Sequence, residues 1–428
     1  MFTANRFFSS FPRSKHFGGF NRRSLAYVAN DSGLFYQGAT FPYGWLRDSC
    51  PCPKCVNPFT AHKIHKTSDI PPNIQPKANG IRASSDGVHI EWMNGHQSFF
   101  PIPFLDRHSS PSKLSAAHKD IPKIPWGASL LNTSNLFLQY EELRTPKGLL
   151  AAINQLIQYG LLLVREVPNA EWSDEKCELR NLAQLFGDIR KTFYGEMFDV
   201  KNVRNSDNVA YTNLNLTFHM DLMYALLCAS LVRPPLTLLR YFESPPRFQI
   251  LHCLRNRVSG GKSVFVDALK AAIILRKTHP EAFETLCSTP VAFHHVHADH
   301  HLHYSHPTIE LASPTKSITA TEESDINYIN YSPPFQAPLS LLVSPHKFYP
   351  ALVEFASILE KPELAFEYLL REGDAAIFDN RRVLHSRTAF EDHAEGEDGQ
   401  TNRLLKGCYL EADAVLDRGR VLRAQAAY

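Results

Sequence analysis

Beyond residue 190 the chain breaks into short β-branched or aromatic runs, among them SVFVDAL (263–269), DAAIFDN (374–380) and LLKGCYLEAD (404–413). Runs this short bury an apolar face only by pairing into sheets, so they confine this part of the chain to a layered β core. Two helix-like stretches precede them. PKGLLAAINQLIQYG (146–160) spaces its apolar residues at three and four and ends on Gly160, and EKCELRNLAQLFGDI (175–189) reads the same way. LLLVREV (161–167) reads as a strand. Helices followed by many short strands predict a mainly β fold with helical buttresses, a β-sandwich or jelly roll.

The chain has 428 residues, enough for two domains. Strand-like runs such as VHIEWM (88–93) occupy 31–105, and the Ser-, Lys- and Pro-rich stretch 106–127 reads as a loop. This places a boundary near residue 120, with a small domain over 31–120 and a larger one over 121–428. Residues 1–30 carry Arg6, Arg13, Lys15, Arg22 and Arg23 and no acid, with Phe and Ser between them. That is the composition of a mitochondrial transit peptide; a disordered basic tail on a cytoplasmic protein is the alternative. A net charge of +2, with no basic stripe interleaved with aromatics, argues against a nucleic-acid partner. No apolar run reaches the ~18 residues of a membrane span, so no membrane partner is expected.

Three of the eight cysteines, Cys50, Cys52 and Cys55, crowd into WLRDSCPCPKC. Three thiolates this close suit one soft cation, and structural zinc needs a fourth ligand, for which His96 is the natural candidate. With four protein ligands such a zinc would hold the domain together and leave no open position.

A second metal centre is suggested by His219 and Asp221 in TFHMD. Alternate residues of a strand share a face, so both can reach one ion. Non-haem Fe(II) oxygenases use two histidines and one carboxylate and leave three positions open. His385, in FDNRRVLHSR, is the candidate third ligand, and Arg403 can hold the far carboxylate of a 2-oxo acid. HHVHADHHLHYSH (294–306) holds seven histidines and its own His-X-Asp, His297 and Asp299, but reads as a solvated loop.

Together WLRDSCPCPKC, TFYG, NVAYTNLNLTFHMD, FQILHCLRNRVSGGKSVFVDA, FDNRRVLHSR and GCYLEAD resemble the γ-butyrobetaine and trimethyllysine dioxygenase family of carnitine synthesis, from about residue 36 to 424. The resemblance implies a double-stranded β-helix (jelly-roll) oxygenase domain and a small N-terminal zinc-binding α+β domain. It implies Fe(II), 2-oxoglutarate and O2, with ascorbate to keep iron reduced, a structural zinc on Cys50, Cys52, Cys55 and His96, and a homodimer. His219, Asp221 and His385 resemble the iron triad, and Arg403 and Ser263 the cosubstrate contacts. Tyr194, Phe198, Tyr211 and Tyr409 resemble an aromatic cage for a trimethylammonium group, which cannot donate hydrogen bonds and is held by ring faces. Asn208 and Asn330 are candidates to orient the substrate carboxylate. The motifs favour γ-butyrobetaine as substrate, giving L-carnitine; trimethyllysine is the alternative. Three positions depart from the pattern: Phe198 for a common Trp, Ser386 for a Gly, and Arg381 for an aromatic.

One segment fits none of this. Residues 225–241, ALLCASLVRPPLTLLRY, begin four positions after Asp221, and removing them leaves HMDLMYFESPPRFQ, which reads like an uninterrupted family member. The expectation is a retained short intron, with a genuine loop insertion as the alternative. Placed so close to a metal ligand, it could leave the chain an inactive member of an enzyme family.

Overall fold

A computed structural model describes residues 27–118, 120–201, 213–222, 245–297, 300–312, 326–391 and 401–426. The chain forms two compact units that divide between Lys119 and Asp120. The first unit holds two antiparallel three-stranded sheets, one from Tyr27–Ala29, Gly33–Tyr36 and Ala39–Pro42, the other from Pro76–Ala83, Gly87–Trp92 and Gln97–Pro101. Leu34, Leu46, Val88, Trp92 and Phe100 form its core. The stretch 106–127 is not all loop: helices Ile102–His108 and Pro111–His118 occupy its start. Proline at a first helical turn starts a helix as readily as it ends one, which composition alone does not reveal.

In the second unit a seven-stranded sheet faces a four-stranded one. The larger sheet runs Phe198–Lys201, Arg403–Leu410, Phe248–Asn256, Ala375–Asp379, Leu161–Arg165, Phe137–Gln139, with Ile189–Arg190 beside Arg403–Leu410. The smaller runs Leu216–His219, Val383–Arg387, Ser263–Asp267, Ala365–Tyr368. Cys253, Ala376, Phe378 and Leu405 of the first meet Phe265, Phe366 and Val383 of the second in one buried cluster. Helices Pro146–Tyr159, Glu178–Phe186 and Ala412–Ala426 cover the outer face of the larger sheet through Leu149, Ile153, Leu156, Leu182 and Val415. Helices Ala268–Thr278, Pro280–Ser288 and Pro345–Leu359 cover the smaller one.

Local chemistry sets these boundaries. Thr145 caps the first buttress by accepting from Gly148 N at 3.0 Å, and Gly160 ends it at φ 74°, a conformation that glycine adopts without strain. A Cβ there would meet Val383 Cγ2 at 2.9 Å, so the turn also brings the two sheets close. SVFVDAL changes from strand to helix at Asp267, whose buried carboxylate accepts from Leu269 N (3.1 Å), Trp126 N (3.0 Å) and Arg382 Nη2 (2.8 Å). The histidine-rich stretch is not a loop but a hairpin, Pro290–His297 with His300–Pro307. Val291, Phe293, Leu302 and His306 turn inward while His294, His301 and His303 are exposed. Histidines on both faces mask this alternation in the sequence.

Candidate active site

His219 ends one strand of the smaller sheet and lies directly opposite His385 in antiparallel register. Their rings sit 4.3 Å apart. Asp221 lies past the end of the strand, so strand alternation does not place it. Asn380 does: its Oδ1 accepts from Asp221 N at 2.9 Å and its Nδ2 donates to Asp221 O at 3.0 Å. Asp221 Oδ1 is 3.5 Å from His219 Nε2, and Oδ2 is 3.8 Å from His385 Nε2. One ligand atom from each residue falls within 4.8 Å of the others.

The polarity of the triad suits a divalent cation. Thr217 O can only accept, so His219 Nδ1 donates to it at 2.8 Å and Nε2 is left as a lone-pair donor toward the cluster. Burial holds His385 neutral, down to about 3. Burial alone would raise the Asp221 carboxyl, but the two imidazoles and the Gln249 amide hold it well below the usual carboxylate range. Gln249 Nε2 donates to Asp221 Oδ2 at 2.8 Å and Tyr409 Oη donates to it at 3.2 Å. Two imidazole nitrogens and one carboxylate on one side of a point form the donor set of a non-haem Fe(II) site with open positions.

The triad lines a cavity of about 80 Å³ whose wall also includes Ser263, Arg387, Arg403, Phe198 and Leu251. Burial lowers both guanidinium groups to about 10, which leaves them cationic at neutral pH.

In the first unit, His96 Nε2 lies 3.3, 3.6 and 3.5 Å from the sulfurs of Cys50, Cys52 and Cys55. A thiolate and an imidazole bound to one tetrahedral zinc are separated by about 3.5 Å, so the four residues fit that ion.

Residues 121–231 and 238–409 match the family described as taurine catabolism dioxygenase TauD, TfdA family, and residues 35–106 match the gamma-butyrobetaine hydroxylase-like N-terminal family. The chain is 48% identical over 408 residues to Dioxygenase str8 of Strobilurus tenacellus, covering 94% of this chain and 90% of that protein. It is 32% identical over 410 residues to the gamma-butyrobetaine dioxygenase of Pseudomonas sp. (strain AK-1), covering 94% and 95%. The chain belongs to the γ-butyrobetaine and trimethyllysine dioxygenase family. It is also 27% identical over 394 residues to the mitochondrial trimethyllysine dioxygenase of Bos taurus, covering 90% and 83%. The protein is thus an Fe(II)- and 2-oxoglutarate-dependent dioxygenase with a TauD-like fold, mostly sheet with helices.

Three of the expected cage aromatics are contiguous in the dioxygenase. Phe198 stacks on Tyr409 at 5.2 Å and 27°, and Tyr194 lies 6.0 Å from Phe198. Gly407 makes this possible: it lies opposite Phe198 in register, and a Cβ there would meet the Phe198 ring at 2.3 Å. Tyr211 and Asn208 lie outside the described residues, as does the segment 225–241. Asn330 is buried and does not line the cavity. Its Nδ2 donates to Pro307 O at 2.8 Å and its Oδ1 accepts from Arg381 Nη2 at 2.9 Å. The aromatic-to-Arg381 departure therefore occupies the amide that was expected to orient substrate. Gln249, Asn380 and Gly407 escaped the sequence reading, because each meets a partner far away in the sequence that only the fold brings near.

Proposed function

We propose that the dioxygenase hydroxylates a trimethylammonium amino acid, and that γ-butyrobetaine, giving L-carnitine, is its substrate. The observation that carries this reading is the Tyr194–Phe198–Tyr409 aromatic run joined to the triad through the Tyr409–Asp221 hydrogen bond. Ring faces attract a quaternary ammonium by about 0.5–2 kcal/mol each. An ammonium held there keeps the attached chain beside His219, Asp221 and His385. Higher identity to a γ-butyrobetaine enzyme than to a trimethyllysine enzyme supports the choice of substrate.

In this reading His219, Asp221 and His385 hold Fe(II). When bound, the iron and 2-oxoglutarate supply the oxidising power, consuming O2 and releasing succinate and carbon dioxide as one oxygen atom enters the substrate C–H bond. Gln249 and Tyr409 fix the Asp221 carboxylate and so orient it as a ligand. Arg403 and Ser263 receive the far carboxylate of the cosubstrate. Leu251 and Phe198 exclude water from the reacting carbon. Ascorbate keeps the iron reduced between turnovers. Zinc on Cys50, Cys52, Cys55 and His96 holds the small domain together, residues 1–30 direct the protein to mitochondria, and the assembled protein is a homodimer.

The second reading is an inactive member, favoured by the position of residues 225–241. The TauD/TfdA match breaks at 232–237, inside that segment. Succinate release dependent on γ-butyrobetaine tests the first reading against the second, and trimethyllysine as the added substrate tests the choice between the two acids.

A further inference from the structure

The histidine-rich hairpin takes no part in the chemistry derived above. Its strands, Pro290–His297 and His300–Pro307, pair in antiparallel register and alternate inward and outward residues. Val291, Phe293 and Leu302 face the interior, while His294, Val296, His301 and His303 stand exposed on the other face. His294 lies directly across from His303, and His301 is two residues from His303 on the same strand. Opposite side chains have Cβ atoms about 4.5–5.5 Å apart, and residues two apart along a strand are separated by about 6–7 Å. The His301 and His303 rings stand 5.8 Å apart, edge to face. Among the described residues, no hydrogen bond or ion pair occupies any of the three imidazoles. No carboxylate, lysine or arginine shares the face, whose other described members are Ala292, Val296 and Ser305.

We propose that His294, His301 and His303 form a surface site for a borderline divalent transition cation such as zinc, and that the ion clamps the two strands of the hairpin together. The molecule uses the same arrangement elsewhere: His219 lies across from His385 in antiparallel register, and the pair supplies two of the triad's three donors. On the hairpin the third donor comes from the next outward position and is a nitrogen in place of a carboxylate oxygen. An all-imidazole set suits zinc, copper(II) or nickel(II), and it offers nothing to magnesium or calcium, which take oxygen ligands. Metal–nitrogen bonds are about 2.0–2.1 Å long, so the three rings must turn toward one point. Exposed side chains make that turn without repacking a core. Three protein ligands leave a fourth position for water. The clamp bears on the dioxygenase through the opposite face of the hairpin. There His295 stacks on Phe193 at 5.9 Å and 26°, and Phe193 packs 4.1 Å from Tyr194 of the aromatic run. The ion thus stiffens the strand that backs that run.

The test is zinc binding by the untagged full chain, measured by equilibrium dialysis at a buffered concentration of free Zn(II). Wild type is compared with His294→Ala, His301→Ala and His303→Ala, and with His346→Ala as the control for a single exposed histidine. The triad and the cysteine cluster are untouched in every variant, so their zinc cancels in the differences. His303→Ala should bind one zinc per chain fewer than wild type. His294→Ala and His301→Ala should each weaken that zinc, and His346→Ala should match wild type. Added zinc should also raise the melting temperature of wild type more than that of His303→Ala, because an ion that binds only the folded hairpin stabilises it. Equal zinc content in wild type and His303→Ala overturns the site. A loss shared by His346→Ala overturns it too, since the binding is then adventitious. A lost zinc with no difference in the melting shift overturns the clamp. If His303→Ala does not fold, an unaltered zinc affinity in both His294→Ala and His301→Ala overturns the assignment instead.

Discussion

Asn380 holds Asp221 on both sides of its backbone, accepting from its N–H at 2.9 Å and donating to its carbonyl at 3.0 Å. The same amide donates to Pro246 O at 3.0 Å, and Asn380 N donates to Arg247 O at 2.6 Å. One buried residue thus fastens the backbone of the triad's Asp221 and the point where the chain re-enters the larger sheet. Replacing it with alanine leaves buried carbonyls and an N–H without partners, at about 1–3 kcal/mol for each orphaned group. Asn380→Ala should lower the melting temperature and weaken Fe(II) or Co(II) binding about 10–100-fold, the scale of lost support around a ligand. Metal titration of the purified variant checks this, and wild-type affinity would contradict it.

Because both roots of the 222–246 connection are pinned by Asn380, deleting 225–241 should leave the triad in place. The deletion variant is expected to bind metal like the full chain and to release succinate faster. Sequencing of transcripts should show most copies without these codons. Slower turnover in the deletion variant, with the codons present in every transcript, would make the segment a working loop.

How much of this was legible beforehand divides along physical lines. The helix ending at Gly160, the Leu161–Arg165 strand and the proximity of His219, Asp221 and His385 were readable because each depends on a local signal or a distinctive residue type. Asp221, however, is placed by a side chain 159 residues away and not by strand alternation. Gln249 carries no sequence signal of a role, and only the fold brings its amide 2.8 Å from Asp221. The stretch 294–306 reads as a loop, although it lies within a hairpin, because histidine marks neither face as apolar. Asn330 was expected at the substrate, but the arginine at 381 claims its amide oxygen.

The aromatic run makes a prediction about specificity. Phe198→Ala should raise KM for γ-butyrobetaine about 2–30-fold, from the loss of ~0.5–2 kcal/mol of cation–π attraction, with 2-oxoglutarate affinity unchanged. Gly407→Ala should act in the same direction by displacing the Phe198 ring. Steady-state kinetics with each substrate varied separately checks both. An equal effect on both KM values would point to general disruption.

The Cys50, Cys52, Cys55 and His96 cluster, read as a zinc site, makes a prediction about stability. His96→Ala or Cys52→Ser should remove one zinc per chain and lower the melting temperature of residues 31–118, since metal binding energy at such sites is folding energy. Metal analysis with calorimetry reads both quantities. Full zinc content in His96→Ala would exclude it as the fourth ligand.

Stability should fall on mild acidification. Burial holds His252 down at about 4, against about 6.5 in an unfolded chain. Above pH 6.5 both states are neutral and no cost is felt; as pH falls from 6.5 toward 4 the unfolded chain takes up a proton that the folded one refuses. His252 should therefore account for a loss of about 2 kcal/mol between pH 7 and pH 5. His306, also near 4 through burial and the Arg381 charge, adds in the same direction. Denaturant unfolding of His252→Leu at the two pH values should show a smaller drop than wild type; an identical drop would contradict it.

The measurement that bears most directly on the whole account is succinate release by the full chain with Fe(II), ascorbate and 2-oxoglutarate, with and without γ-butyrobetaine. Release that rises with γ-butyrobetaine, and is abolished by His385→Ala, is the predicted result. If neither the full chain nor its 225–241 deletion releases succinate above the substrate-free rate, the proposed function is contradicted.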